Sequence, residues 1–227
     1  MQVDIQHRPS YALAVVNLSA DESVVGEGGA MVSMDQTISI QTSRRGAGSG
    51  GLLKSLKRAA LGGESFFLNT YTASRGPGHV SFAPTLPGDV MHLALSNQSY
   101  IIQSSSYMAS SPGITLDTQW GGLKTFFGGE GLFMLKAQGT GDLIVNAFGA
   151  IHELAINGPY ILDTGHIVAF EETLSFEVKR VGNWISTFFS GEGLVCQFNG
   201  QGKLYIQTRN PKEFGTMVGH KLPPREA

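Results

Sequence analysis

Short apolar runs with hydrophobic residues at alternate positions fill this chain, and Gly, Asn, Ser and Pro punctuate them. Runs such as ALAVVNL (12–18), MHLALSN (91–97) and HELAING (152–158) have the period of two that turns one strand face to a core and the other to water. No apolar run approaches the roughly 20 residues needed to cross a bilayer as a helix. The pattern predicts an all-β protein.

The same order of elements recurs three times. GGESFFLNTY (62–71), GGEGLFMLKA (128–137) and SGEGLVCQFN (190–199) place Glu64, Glu130 and Glu192 at spacings of 66 and 62. Each leads into a turn and another strand: GPGHVSFAP (76–84), GTGDLIVNAFG (139–149) and GQGKLYIQTR (200–209). Upstream, SYIIQSSSYMASSPGITLDT (99–118) matches PYILDTGHIVAFEETLSFEV (159–178) with Tyr100 and Tyr160 in register, and SVVGEGGAMVSMDQTISIQT (23–42) is a fainter version. A unit of about 60 residues buries one sheet face poorly when alone. Three units packed around a pseudo-threefold axis can share a core and cover one another's edges. The expected organisation is a single domain, 1–227, built from repeats at about 10–83, 84–148 and 149–210 with short connector helices. Residues 211–227 are expected to be a C-terminal tail, its end HKLPPREA (220–227) mobile because consecutive prolines stop a ladder or a helix.

At 227 residues, 41% hydrophobic and 15% charged, the chain has the composition of a packed globular protein. A net charge of -2 exerts no global pull on nucleic acid or acidic lipid, so any such affinity must be local. The single cysteine, Cys196, excludes an internal disulfide and a four-cysteine zinc site, and its apolar setting predicts a buried, inert thiol. The first residues lack a basic and long apolar leader, which points to a cytoplasmic location.

Local charge sits in RRGAGSGGLLKSLKRAALGGES (44–65). Its glycines suggest a phosphate loop, but Leu52 and Leu53 stand where Lys and Ser must follow Gly51. Lys54 and Ser55 arrive two residues late, about 200° around a helix. The repeats give a different reading. The connection from Met31 to Glu64 spans 33 residues, against 22 from Met108 to Glu130 and 24 from Val168 to Glu192, so the first copy carries an insertion. Leu52, Leu53, Leu56 and Ala60 share one helical face, and Lys54, Lys57 and Arg58 lie largely opposite. With Arg44 and Arg45 they form a basic cluster without an acid, either a solvated face or a docking element for a partner or anionic membrane surface. A phosphate-backbone contact is the third reading.

Other candidate chemistry is sparse. Glu64, Glu130 and Glu192 read as turn carboxylates that cap backbone amides; a shared cation site is the alternative. None of the six histidines has a metal-ligand spacing, and no serine sits in Gly-x-Ser-x-Gly. SNQSYIIQSSSYMASS (96–111) reads as two strands and a turn, and Trp120 and Trp184 as anchors of the connectors. No catalytic set, metal or cofactor is expected.

FFGGEGLFMLKAQGTGDLIVNAFG (126–149), GEGLVCQFNGQGKLYIQTRNP (191–211) and GEGGAMVSM (26–34) together resemble the altered-inheritance-of-mitochondria family, over nearly the whole chain. The resemblance implies a threefold-repeated β-structure similar to the tryptophan RNA-binding attenuation protein (TRAP-like). It implies no catalytic residues to carry over. Mitochondrial relatives are linked to inner-membrane organisation, but no Arg-rich transit segment is present here. The expectation is a non-enzymatic scaffold or interaction protein that docks a protein partner or membrane surface through Arg44, Arg45, Lys54, Lys57 and Arg58. The alternative is a small-ligand or RNA-binding protein using clefts between repeats. Whether it forms a homo-oligomer is left open.

Overall fold

The computed structural model describes residues 1–43, 68–117, 126–127, 132–180 and 194–223. Seven strands come first: β1 (Gln2–Gln6), β2 (Leu13–Leu18), β3 (Ser23–Glu27), β4 (Met31–Met34), β5 (Ser39–Ser43), β6 (Leu68–Thr72) and β7 (Gly78–Phe82). Five follow: β8 (Val90–Gln103), β9 (Tyr107–Ser110), β10 (Ile114–Asp117), β11 (Phe126–Phe127) and β12 (Leu132–Asn146). The last six are β13 (Ile151–Asn157), β14 (Tyr160–Asp163), β15 (Ile167–Glu171), β16 (Ser175–Arg180), β17 (Leu194–Asn199) and β18 (Gln201–Gln207). The protein is predominantly β, as the alternation predicts.

The pairing is antiparallel throughout these strands. In the first stretch β7 lies between β2 and β4, and β6 between β3 and β5. In the third, β18 lies between β13 and β15, and β17 between β14 and β16. In the second, β8 and β12 are the long strands, of 14 and 15 residues. They pair along their length, with β9 on the part of β12 near Asn146 and β10 on the part before Gly139. SNQSYIIQSSSYMASS forms, as expected, the end of β8, a 3-10 turn at Ser104–Ser106 and β9.

The shift in register between β8 and β12 is marked by backbone chemistry. Asn97 has φ 63° and bulges out opposite the Gly139/Thr140 step, where Gly139 has φ 134°. A Cβ at Gly139 would meet the carbonyl oxygen of Gly113, so only glycine lets the strand turn here. In the first and third stretches true turns occupy these places, with positive φ at Asp21, Gly76, Gly158 and Gly200.

Two pairings join the stretches to each other. β3 meets β9 through Val25↔Ser110 and Gly26↔Ala109, and β8 meets β15 through Tyr100↔Glu171, Ile101↔Phe170 and Ile102↔Ala169. The core follows these joins. One cluster unites Ala14, Val16, Tyr71 and Phe82 with Met108 and Ile144. A second unites Leu135, Leu143 and Tyr107 with Val168 and Tyr205, and a third surrounds Phe170 and Phe198.

The chain end departs from the expected tail. Pro211–Gly219 forms a helix, α1, begun by Asn210, whose side chain accepts hydrogen bonds from the Lys212 and Glu213 amides. Proline at the first helical position lacks only an amide that would go unpaired there anyway. Phe214 of α1 packs edge-on against Phe148, with ring centroids 5.2 Å apart.

Candidate interaction surface

β4, β9 and β15 are built alike. Each bulges at its second residue while pairing with β7, β12 and β18 respectively: Val32, Met108 and Val168 are the residues skipped. Their surroundings differ sharply. Met108 and Val168 are fully buried, whereas Val32 is 58% exposed. β14 shows the same contrast with β8. Ile101 and Ile161 each stand three residues before a 3-10 turn, at Ser104–Ser106 and Thr164–His166. Ile101 is 0% exposed and Ile161 is 65% exposed.

The cause is pairing. The outer edge of β9 is covered by β3 and that of β15 by β8. β4 ends its four-stranded sheet and β14 ends its three-stranded sheet, with no further strand beside either among the described residues. Val32, Met34, Tyr160 and Ile161 are exposed large hydrophobic residues on these two edges. Of the other sheet ends, β13 carries His152 and Glu153 and β16 carries Glu177 and Lys179, which discourages pairing, whereas β5 carries no charge. Met31–Met34 and Tyr160–Leu162 carry none.

The remaining polar groups hold the framework. Arg8 reaches Asp89 through Nε and Nη2 at 2.7 and 2.9 Å, and the Val90 amide donates to the same carboxylate at 2.9 Å. His92 and Ser111 both bond to Asp142, His92 through Nε2 at 2.7 Å and Ser111 through Oγ at 3.3 Å. The serine is thus oriented by the carboxylate, and its hydroxyl also accepts from the Asp142 amide at 2.9 Å. This differs from a triad, in which histidine itself takes the serine proton. Cys196 is fully buried, as expected, and burial pushes its thiol up to about 12, with Asp163 adding to the effect. Burial, then Tyr100 and Glu153, push the Tyr205 phenol upward. Among the described residues no group of three His, Cys, Asp or Glu side chains is placed to hold a metal ion. No helix among them is long and apolar enough to cross a membrane.

A cleft of about 480 Å³ opens between the stretches, lined by Ala30, Leu86, Met108, Asn146, Phe148 and Pro211 among others. Arg44, Arg45, Lys54, Lys57, Arg58, Glu64, Glu130 and Glu192 lie outside the described residues, as do Trp120, Trp184 and the expected connector helices. The exposed pair of edges was not among the expected sites. Its signal was present in the alignment of Tyr100 with Tyr160, which sets Ile161 beside buried Ile101. Sequence spacing shows that equivalence but not which edge lacks a neighbour.

Comparison with known proteins places the chain among relatives. The family model described as mitochondrial biogenesis AIM24 matches residues 3–209. An uncharacterized protein of Streptococcus pyogenes serotype M6 is 30% identical over 229 residues, covering 98% of this chain and 92% of that protein. The crystal structure of a Streptococcus pyogenes protein superimposes with a TM-score of 0.80 at 26% identity, covering 97% of this chain and 99% of the other.

Proposed function

Because this chain belongs to the mitochondrial biogenesis AIM24 family, we propose that it is a non-enzymatic scaffold or interaction protein that docks an anionic membrane surface through its basic insertion. In this reading three TRAP-like units repeat about a common axis. The like order of pairing in the three stretches supports that repetition. The observation that carries the docking reading is charge. Arg44, Arg45, Lys54, Lys57 and Arg58 fall in a stretch without an acid, between β5 and β6, in a chain of net charge -2. Such a cluster gains about 1 kcal/mol per basic residue near an anionic leaflet and is screened by salt.

Flotation with phosphatidylglycerol vesicles tests it. The full chain is expected to float at low salt, and a chain lacking residues 44–61 is not. Equal flotation of the two, or none by the full chain, contradicts the docking. The cleft, lined by Ala30, Met108 and Phe148 together with Ser104, Asn146 and Gln207, favours a second reading, a small ligand held between units.

A further inference from the structure

We propose that a second copy of the chain completes the unpaired edges: β14 of one copy pairs antiparallel with β4 of the next. The chain already makes this kind of join twice, and both halves of a third are present and unused among the described residues. In the β8–β15 join Ile101 faces Phe170 and Ile102 faces Ala169, and in the β3–β9 join Val25 faces Ser110 and Gly26 faces Ala109. Carried to the free edges, the same register sets Ile161 opposite Met34 and Leu162 opposite Ser33. One step further, Tyr100 faces Glu171 within the chain, and Tyr160 would face Asp35 of the second copy. An aromatic residue opposite an acid recurs in the same place.

The chemistry of the edges favours this occupant. A free edge offers a row of unpaired amides and carbonyls, which a matching strand satisfies. The only charged residues in this register, Asp35 and Asp163, would face Tyr160 and Val32, so no like charges oppose the pairing. The side chains left most exposed, Ile161 at 65% and Val32 at 58%, occupy positions that are fully buried at Ile101 and Met108. Joining the four-stranded sheet that ends in β4 to the three-stranded sheet that ends in β14 would give one continuous sheet across two copies. Each copy has one edge of each kind, so the contact is head to tail, or reciprocal if two copies close on each other. This inference is independent of the basic insertion.

Cross-linking tests it in the full-length chain. Met34→Cys and Ile161→Cys are made separately, mixed and oxidised mildly; buried Cys196 does not compete. The mixture is expected to give a two-chain product at least tenfold above either variant alone. The double variant is expected to give multiples of the chain. A double variant that closes only within one chain overturns the proposal, as does a mixture with no product above background. Ile161→Lys supplies the second arm, because an exposed position tolerates lysine without loss of the fold. By sedimentation it is expected to be a single chain at concentrations where the native protein associates. An unchanged mass for Ile161→Lys, or a native protein that stays a single chain at every concentration, overturns the proposal.

Discussion

Ile101 faces Phe170 across the β8–β15 pairing, and both side chains are fully buried. Phe170 also meets Phe198 and Phe176 edge-on, with centroids 5.1 and 5.3 Å away. Phe170→Ala is expected to cost about 3–5 kcal/mol, the range for emptying a packed aromatic site. Met34→Ala and Ile161→Ala, at the equivalent exposed places, are expected to cost under about 0.5 kcal/mol in the single chain. Urea denaturation at low protein concentration measures all three. Similar losses at all three sites would mean that β4 and β14 are covered within the chain.

Asp89 is 1% exposed and its carboxylate is held by Arg8, itself half exposed. The Asp89 backbone bonds to Gly149 and Ala147, so this residue ties the N-terminal segment to the start of β13. Arg8→Ala is expected to cost about 2–3 kcal/mol, the scale of a hydrogen bond to a charged group, with the exposed arginine contributing less than a buried one. The double change Arg8→Ala with Asp89→Asn is expected to lose less than the sum of the two. Thermal denaturation of the four proteins checks the coupling.

Burial in the folded chain pushes the Cys196 thiol from its ordinary value of 9.0 up to about 12. A raised folded value means the contribution is fully present below pH 9 and is lost as pH rises through about 12. Up to about 4 kcal/mol is at stake at 1.36 kcal/mol per pH unit. Tyr205 and Tyr100 are also raised by burial and add to the same alkaline decline. Cys196→Ala is therefore expected to flatten, not abolish, the fall in stability between pH 9 and 12. In the native protein near neutral pH the thiol is expected not to react with a disulfide reagent until the chain unfolds.

Two glycines give opposite signs. Gly139→Ala forces a Cβ against the Gly113 carbonyl at φ 134° and is expected to destabilise by about 1–3 kcal/mol. Gly215 lies inside α1 with nothing near a new Cβ, and Gly215→Ala is expected to favour the helix by about 0.8–1 kcal/mol. Denaturation reads the first, and hydrogen exchange within α1 reads the second.

Much of this was legible in the chain because strand formation is local. Alternation in ALAVVNL reappears as β2, with Ala14, Val16 and Leu18 buried and Asn17 exposed. The apolar run around Cys196 placed it in a core, where it lies. The helix α1 was missed although Asn210-Pro211 is a cap followed by a favourable first residue, because the pair of prolines farther on dominated the reading. The uncovered edges were missed for a deeper reason. Val32 and Met108 look alike in sequence, and only pairing with residues far along the chain buries one and leaves the other bare.

Amide hydrogen exchange across a dilution series tests the open join most directly. Protection of residues 31–34 and 160–163 is predicted to fall as the protein is diluted. Protection of 100–103, 107–110 and 167–170, paired within the chain, is predicted to stay constant. Protection at 31–34 and 160–163 that equals theirs and does not change on dilution would show the edges sealed inside a single copy, and would contradict the assignment of a second one.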